Sequence, residues 1–503
     1  MSLLIFSGGS ACNHLVRAFQ TITPSVGYVL GVSDNGGSTS ELLRVLGGPS
    51  IGDLRSRLTR LVGIDGQGDS ERAAIKELLS YRLPAVGHER AIKEEWAEIV
   101  EGRHRLWNTI PEAKKSTIRG FLVLFDYEIL KRAHKKFNFR NGSIGNFFLT
   151  GARLFFGSLE AAIFLFAAIT GITEPTTVIP AINTNHTVTI AAFLDDGKTV
   201  VGQCEISHPS ASSIGWRTAV NPIDAFSYPT SPTSPEFSFR LGQADGAGSS
   251  SEPAQYENSN LIFSKTSDTK LSARIRQIFY INEYGQEIFP YPNPKLPAQL
   301  AMKRTLIYSI GSLYTSILPC LILRSVGNAI ATSPSLRHKI LILNGTNDRE
   351  TDGYTALDFV KAITDGLNTS RFIDARRTFY NTLGEEALTN GGDGRLGQPA
   401  TDLGRAPNSV ALPPPMVTWD GQSRPSTPPV YPAFPPNLFV PNLASAYITH
   451  LVYLNNSGVA VDEAAVEELG VQCVKCEGGW DEDGKAVYAE DRLVEVLEAI
   501  IKS

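Results

Sequence analysis

The chain has 503 residues, 42% of them hydrophobic, and a formal net charge of −5. That is enough to bury a large core, and it provides no basic field for a nucleic-acid backbone, so nucleic acid is not an expected partner. Five scattered cysteines make no disulfide framework, and no run reaches the roughly 18 apolar residues of a membrane span, so a soluble cytoplasmic protein is expected.

The first apolar run, Leu3-Leu4-Ile5-Phe6, is too short and uncharged for a signal peptide and reads as a strand. It leads through Ser7-Gly8-Gly9-Ser10-Ala11-Cys12-Asn13 into a helix over His14–Gln20. A second strand, Gly27–Val32, leads through Ser33-Asp34-Asn35-Gly36-Gly37-Ser38 into a helix over Ser40–Leu46. Helical patterns follow at Ile51–Leu61 and Arg72–Tyr81. From about 89 to 136 the chain is rich in Lys, Arg and Glu, with Trp96, Trp107, Ile118, Phe121 and Leu122 at helical spacings, and reads as a helical insertion. Helices are predicted at Asn146–Phe156 and Leu159–Ile169, and strands at Thr177–Ile182, Val188–Leu194 and Val200–Ile206. The Asp195-Asp196-Gly197-Lys198 turn makes the last two an antiparallel hairpin.

Residues 228–258 turn to Pro, Ser, Gly and Glu and read as a disordered-like loop. A helix at Pro297–Lys303, a strand at Thr305–Ile310 and a helix at Tyr314–Arg324 come next, then a strand at Lys339–Leu343 and a helix at Thr355–Leu367. Residues 383–442, with Pro413-Pro414-Pro415, read as a second long loop of polyproline character. Its Trp419, Tyr431 and Phe434 either dock on the body or offer an epitope to a protein partner. Strands at Ile448–Leu454 and Val471–Val474 and helices at Asp462–Leu469 and Glu490–Ile501 complete the chain. The alternation predicts one α/β domain over 1–503, a Rossmann-like, mostly parallel doubly wound sheet with helices on both faces and a local hairpin.

In such a sheet the ligand lies beyond the carboxyl ends of the strands. Glycine turns that open helices leave backbone N–H groups and the positive helix end facing an anion, so Gly8, Gly9, Ser10, Asn13 and His14 in the first turn are candidate ligand residues. The second turn adds Asn35, Gly36, Gly37 and Ser38. Neither matches G-x-G-x-x-G or the nucleoside-triphosphate loop. Asp34 and Asp53 are candidate metal carboxylates and Arg55 a phosphate clamp; helix capping and dipole complementation are the alternative uses of the same residues. Asn146 either binds ligand or caps. Gly311, Ser312, Thr315 and Ser316 are placed to surround a phosphate, Tyr314 either stacks on a base or packs in the body, and the loop carrying Asn344, Asp352 and Tyr354 either reads a base or sugar or is an ordinary surface loop. No nucleophile–base pair follows from spacing, and no organic cofactor is expected. Cys473-Val474-Lys475-Cys476 is a lone C-x-x-C and reads as part of a strand.

The blocks Gly8-Gly9 to His14, Val32-Ser33-Asp34-Asn35-Gly36-Gly37-Ser38, Gly52-Asp53-Leu54-Arg55 and Ser143-Ile144-Gly145-Asn146 are followed by Gly311-Ser312-Leu313-Tyr314-Thr315-Ser316-Ile317-Leu318-Pro319 and Glu350-Thr351-Asp352-Gly353-Tyr354-Thr355. In this order they resemble the superfamily that joins 2-phospho-L-lactate transferase (CofD) with the gluconeogenesis factor (YvcK), the last two blocks looking closer to the gluconeogenesis-factor branch. The resemblance spans the chain apart from the insertions, which look like those of a eukaryotic offshoot. It implies a nucleotide or nucleotide-sugar site. In the gluconeogenesis-factor branch the ligand is a UDP-sugar and the role regulatory, in carbon metabolism and cell shape. In the transferase branch a phospholactyl-type group moves from a nucleotide diphospho donor to an acceptor hydroxyl with a divalent metal such as Mg²⁺. The metal carboxylates would then be Asp34 and Asp53, and the diphosphate would meet Gly8, Gly9, Ser10, Ser312 and Thr315. Three positions depart from the family: Ala11-Cys12-Asn13-His14 stands where Thr-Gly and small or apolar residues are usual, Ser309-Ile310 stands where Gly-Pro is common and alters the backbone approach to the ligand, and Asn35 stands where a second acid is common, which weakens the metal-catalysis reading. The expected function is therefore a nucleotide- or nucleotide-sugar-binding regulator, with the Mg²⁺-dependent transferase as the alternative. A homo-oligomer is compatible with either.

Overall fold

The computed structural model describes residues 1–63, 70–132, 134–208, 270–389 and 432–503, without the side chains of 384–389. The Pro/Ser/Gly segment 228–258 and residues 390–431 of the proline-rich segment, including Trp419 and Tyr431, lie outside the described residues.

The chain opens with β1 (Leu3–Phe6), α1 (Val16–Ile22), β2 (Val26–Leu30), α2 (Gly37–Leu46), α3 (Gly52–Leu61) and α4 (Ser70–Ser80). Four helices follow: α5 (Glu89–Glu101), α6 (Glu112–Leu130), α7 (Ile144–Phe156) and α8 (Leu159–Thr170). Next come β3 (Thr177–Pro180), β4 (Thr189–Leu194), β5 (Thr199–Val201), α9 (Gln203–Ser207), β6 (Ile275–Ile281) and β7 (Glu287–Ile288). The second half holds α10 (Lys295–Met302), β8 (Thr305–Tyr308), α11 (Leu318–Leu321), α12 (Val326–Thr332), β9 (His338–Ile342) and α13 (Ala356–Thr389). It closes with β10 (His450–Leu454), α14 (Glu463–Glu467), β11 (Gln472–Cys476), β12 (Gly478–Trp480), β13 (Ala486–Tyr488) and α15 (Glu490–Lys502).

Seven strands form one sheet in the order β11-β10-β9-β8-β1-β2-β3, and every neighbouring pair is parallel. The chain winds outward from β1 through β2 to β3, then returns to the other side of β1 with β8 and continues to β11. The direction of winding reverses between β1 and β8, which is where a doubly wound sheet opens its ligand crevice. These strands are apolar on both faces: Leu3, Leu4, Ile5 and Phe6 are all fully buried, as helices on both sides require.

The Asp195–Lys198 turn joins β4 and β5 as an antiparallel pair, and β6 and β7 extend it to a four-stranded sheet. The strand predicted over Val200–Ile206 stops at Val201, because Gly202 has φ 90° and Cys204 N–H donates to Asn35 Oδ1 at 2.9 Å, starting α9 instead. The helix predicted over Tyr314–Arg324 is broken. A wide turn over Leu313–Ile317 precedes α11, and Ser325 with φ 63° separates α11 from α12.

The segment 89–136 is helical, as its spacing predicts, and it is not a solvated appendage. Trp96 of α5 packs on Phe125 of α6 and Phe147 of α7, with ring centroids 5.8 and 5.1 Å apart. Two compact units divide the chain, Met1–Arg371 with Asn442–Ser503 and Phe372–Pro441. In the second, the helix runs through the predicted loop boundary at Leu383 to Thr389, and Phe434 packs edge-on against Phe372 and Phe379. Among the described residues no single helix is long and apolar enough to cross a membrane.

Candidate functional site

The two turns that flank the switch point touch backbone to backbone. A methyl group added at Gly8 would lie 2.3 Å from the Ile310 carbonyl oxygen and 2.5 Å from Gly311 Cα, and one at Gly311, whose φ is +146°, would lie 2.4 Å from Gly8 Cα. Only glycines permit this approach. Asn344, after β9, fixes it from below: Gly311 N–H donates to its Oδ1 at 3.0 Å and its Nδ2 donates to the Gly311 carbonyl at 2.9 Å. The side chain predicted to read a base is thus spent on the backbone of the turn.

Two helix N-termini open beside this junction. Neither α2 nor α3 has a side-chain cap, and they begin side by side, since a methyl at Gly52 would lie 2.9 Å from Thr39 Oγ1. Asp34 enters from the β2 turn and Asp53 from the first turn of α3. Asp34 Oδ1 accepts the Gly36 N–H at 2.9 Å; no hydrogen bond reaches the Asp53 carboxylate among the described residues. Asp53 also lies against the first turn, its Oδ2 3.2 Å from where a Gly9 Cβ would sit. Burial pushes Asp34 above the usual carboxylate range. Burial and then the Asp34 charge push Asp53 up to about 7. Asp34 and Asp53, which come from separate loops, therefore lie near enough that the charge of one raises the other, a pairing that favours a shared proton or a cation.

Arg55, two residues further along the first turn of α3, is buried, and its Nε donates to Asn146 Oδ1 at 3.2 Å. Asn146 Nδ2 donates to Ser38 Oγ at 2.9 Å, which also accepts from Arg82 at 3.3 Å. Ser38, Arg55 and Asn146 are therefore joined in one hydrogen-bonded group. Burial lowers Arg55 to about 10, with the Arg82 charge acting in the same direction and the Asp53 charge against it. Asn35 instead anchors α9 through Cys204.

Arg57 escaped the sequence reading. It is fully buried beneath the first turn, donates to Ser7 Oγ at 2.5 Å and to the Cys12 carbonyl at 3.4 Å, and lies 4.9 Å from the Tyr28 ring centroid. The signal was present: Arg57 falls in the apolar stripe Leu54, Leu58, Leu61, where an arginine is out of place.

The turn after β8 departs most from expectation. Its phosphate-like position is taken by the protein's own carboxylate, Glu350, 2% exposed. Glu350 accepts from Tyr314 N–H at 2.9 Å, Thr315 N–H at 3.1 Å and Thr315 Oγ1 at 2.5 Å. Ser207 of α9 also donates to it. Tyr314 and Thr315 are thus committed to Glu350, while the Ser312 and Ser316 hydroxyls have no partner among the described residues. Burial pushes Glu350 up to about 7, helped by Asp348. Its folded value lies above the unfolded one, so its favourable contribution is complete below about 4.5 and is lost as pH rises through about 7. Glu350→Ala leaves two buried N–H groups unpaired and is expected to lower stability by about 2–4 kcal/mol in urea titration.

Several candidates fall outside the crevice. Asp352 is exposed and pairs with Lys270 at 2.8 Å. Tyr354 meets the Tyr314 hydroxyl at 3.0 Å in the core, so neither ring is open for stacking. Asn13 Nδ2 donates to Ser56 Oγ at 2.8 Å and His14 Nδ1 bonds the Ala11 carbonyl at 2.9 Å, both within the turn's own packing; burial lowers His14. Ser10 is exposed at the turn's outer end. Cys473 and Cys476 lie on β11, where an odd spacing puts them on opposite faces. Among the described residues no group of three or more His, Cys, Asp or Glu could hold a metal ion.

The comparisons with known proteins agree with this architecture. The family model described as 2-phospho-L-lactate transferase CofD matches residues 3–384. An uncharacterised protein of Saccharomyces cerevisiae, YNL011C, is 39% identical over 392 residues, covering 73% of this chain and 83% of that protein. Two crystal structures of BH3568, a UPF0052-family protein of Bacillus halodurans, superpose with TM-score 0.54 at 16% and 15% identity. They cover 99% and 100% of this chain and 99% of theirs, and so share the fold. The match over residues 3–384, together with the glycine junction and the converging loops, places the chain in the 2-phospho-L-lactate transferase CofD family.

Proposed function

We propose that the crevice between β1 and β8 binds a nucleotide or nucleotide sugar through its diphosphate, together with a divalent cation. The observation that carries this reading is the convergence of Asp34 and Asp53 beside two uncapped helix N-termini. Uncapped N–H groups and Arg55 favour the phosphates, and a cation resolves the repulsion between the carboxylates. Mg²⁺ suits this donor set: it retains several waters and takes one or two carboxylates plus substrate phosphates. Two protein acids make a site completed by the ligand. When bound, the cation supplies positive charge against the diphosphate; Asp34 and Asp53 hold it, and Arg55 orients the phosphate.

The same acid pair favours a second reading, the transfer of a phosphorus-containing group to an acceptor hydroxyl, in which these groups stabilise a leaving diphosphate. The regulatory reading needs the binding alone. A thermal-shift panel of UDP, GDP, UDP-sugars and deazaflavin-type acceptors, with and without Mg²⁺, separates them. Binding to the folded state raises the melting temperature. We expect a Mg²⁺-dependent rise with a diphosphate ligand; no shift with any nucleotide sinks both readings, and product formation with an acceptor selects the transferase.

A further inference from the structure

A cavity of about 470 Å³ lies between α5 and the loop that follows α6. Its wall is apolar, made by Val100, Ile129 and Leu130 with the edges of Trp96, Phe137 and Phe139. Its charged groups are Lys93, Arg132, Lys135 and Lys136 against Glu101 and Asp126.

Most of these charges have occupations. Asp126 accepts the Trp96 indole N–H at 2.8 Å, and Glu101 is held by Arg103 at 2.7 Å. Lys93 and Lys136 share Glu89, each at 2.9 Å. Lys135 donates to the Arg44 carbonyl at 3.0 Å, in the last turn of α2, where a cation complements the helix end. A solvated helix face accounts for all of these, and Arg132 is different. Its side chain has no hydrogen bond or ion pair among the described residues, and its Nε is sealed from solvent without an acceptor. A guanidinium carries five donors, and a buried donor left unpaired costs about 1–3 kcal/mol. Its charge also presses on its neighbours: Lys135 and Arg153 are both lowered by burial first and then by Arg132. The cavity therefore joins an apolar wall to positive charge that the chain itself does not neutralise.

We propose that this cavity binds a small organic anion, with an apolar or aromatic body on Val100, Ile129 and Leu130 and a phosphate or carboxylate head hydrogen-bonded by Arg132 between Lys135 and Lys136. The site is distinct from the glycine turns. It adjoins the last turn of α2, whose first residue, Gly37, belongs to the crevice, and ten helical residues span about 15 Å.

The test titrates 1-naphthyl phosphate into the full chain by calorimetry and tryptophan emission, with 1-naphthol and inorganic phosphate as comparators. We expect saturable binding of one equivalent of 1-naphthyl phosphate, weakened roughly 10- to 100-fold by Arg132→Gln. Leu130→Glu, at a wall position 71% exposed and so tolerant of substitution, should weaken it as well. Arg55→Gln should leave it unchanged. Circular dichroism checks that the variants fold, and Arg132→Gln removes no side-chain hydrogen bond or ion pair found among the described residues. The proposal is overturned if no saturable binding occurs, if naphthol or inorganic phosphate binds as tightly, if Arg132→Gln binds normally, or if Arg55→Gln rather than Arg132→Gln abolishes binding.

Discussion

Asp53→Asn is expected to make the fold more stable and the crevice inactive. The carboxyl of Asp53 is held near 7 by burial and by Asp34, against an ordinary value near 3.9. An acid whose folded value is raised contributes most below its unfolded value, and that contribution is lost as pH rises through about 7. Above pH 7 the wild type therefore carries a cost that asparagine, of similar shape and no charge, does not. The gain is expected to be about 1–3 kcal/mol at pH 8, discounted because the side chain keeps some exposure to solvent, and to vanish near pH 4. Urea titrations at the two pH values measure it. The same substitution removes one of the two proposed cation ligands, and Mg²⁺-dependent nucleotide binding should fall by at least about 100-fold, the ordinary cost of breaking a charged contact in a desolvated site. A variant both less stable at pH 8 and unimpaired in binding would show that Asp53 merely complements the dipole of α3.

The second large effect is expected at Gly8. Its α-carbon faces the Ile310–Gly311 backbone so closely that a methyl group would overlap main-chain atoms at 2.3 and 2.5 Å. Neither strand can retreat, because β1 and β8 are hydrogen-bonded along Leu3–Phe6 and Thr305–Tyr308. Gly8→Ala is expected to cost about 3–5 kcal/mol and to open the junction on which the site depends. Gly31→Ala is the control. The nearest atom to its added methyl is the Ser316 carbonyl oxygen at 4.0 Å, so that variant should stay within about 1 kcal/mol of wild type in the same urea titration.

The seven-stranded sheet was legible because each of its strands is a short apolar run closed by a turn, a pattern that needs no long-range knowledge. The strand over Ile275–Ile281 was not read. Arg276 and Gln277 interrupt its apolar run, and its pairing with β4 joins segments far apart in sequence. Gln203–Ser207 was misread as strand because its helix is started by Asn35, from a distant loop. The site divided along the same line. Asp34, Ser38, Asp53, Arg55 and Asn146 could be named from turns that open helices, each a local signal. Glu350 could not. In its block Glu350-Thr351-Asp352-Gly353-Tyr354 the ligand-like side chains are Asp352 and Tyr354, and nothing local says that a glutamate 35 residues after Thr315 will accept that turn's N–H groups. Its presence moves the proposed phosphate site toward the α2 and α3 N-termini and leaves Ser312 and Ser316 as the uncommitted hydroxyls of the third turn.

The central claim is that two carboxylates and two helix ends form a cation-assisted diphosphate site. Calorimetric titration of the wild-type chain with UDP, at pH 8 and pH 6, each with Mg²⁺ and with a chelator, tests it most directly. We expect binding at pH 8 with Mg²⁺, weaker by about tenfold or more at pH 6, where Asp53, held near 7, is mostly protonated, and weaker again without the metal. Binding of equal strength in all four conditions would contradict the account.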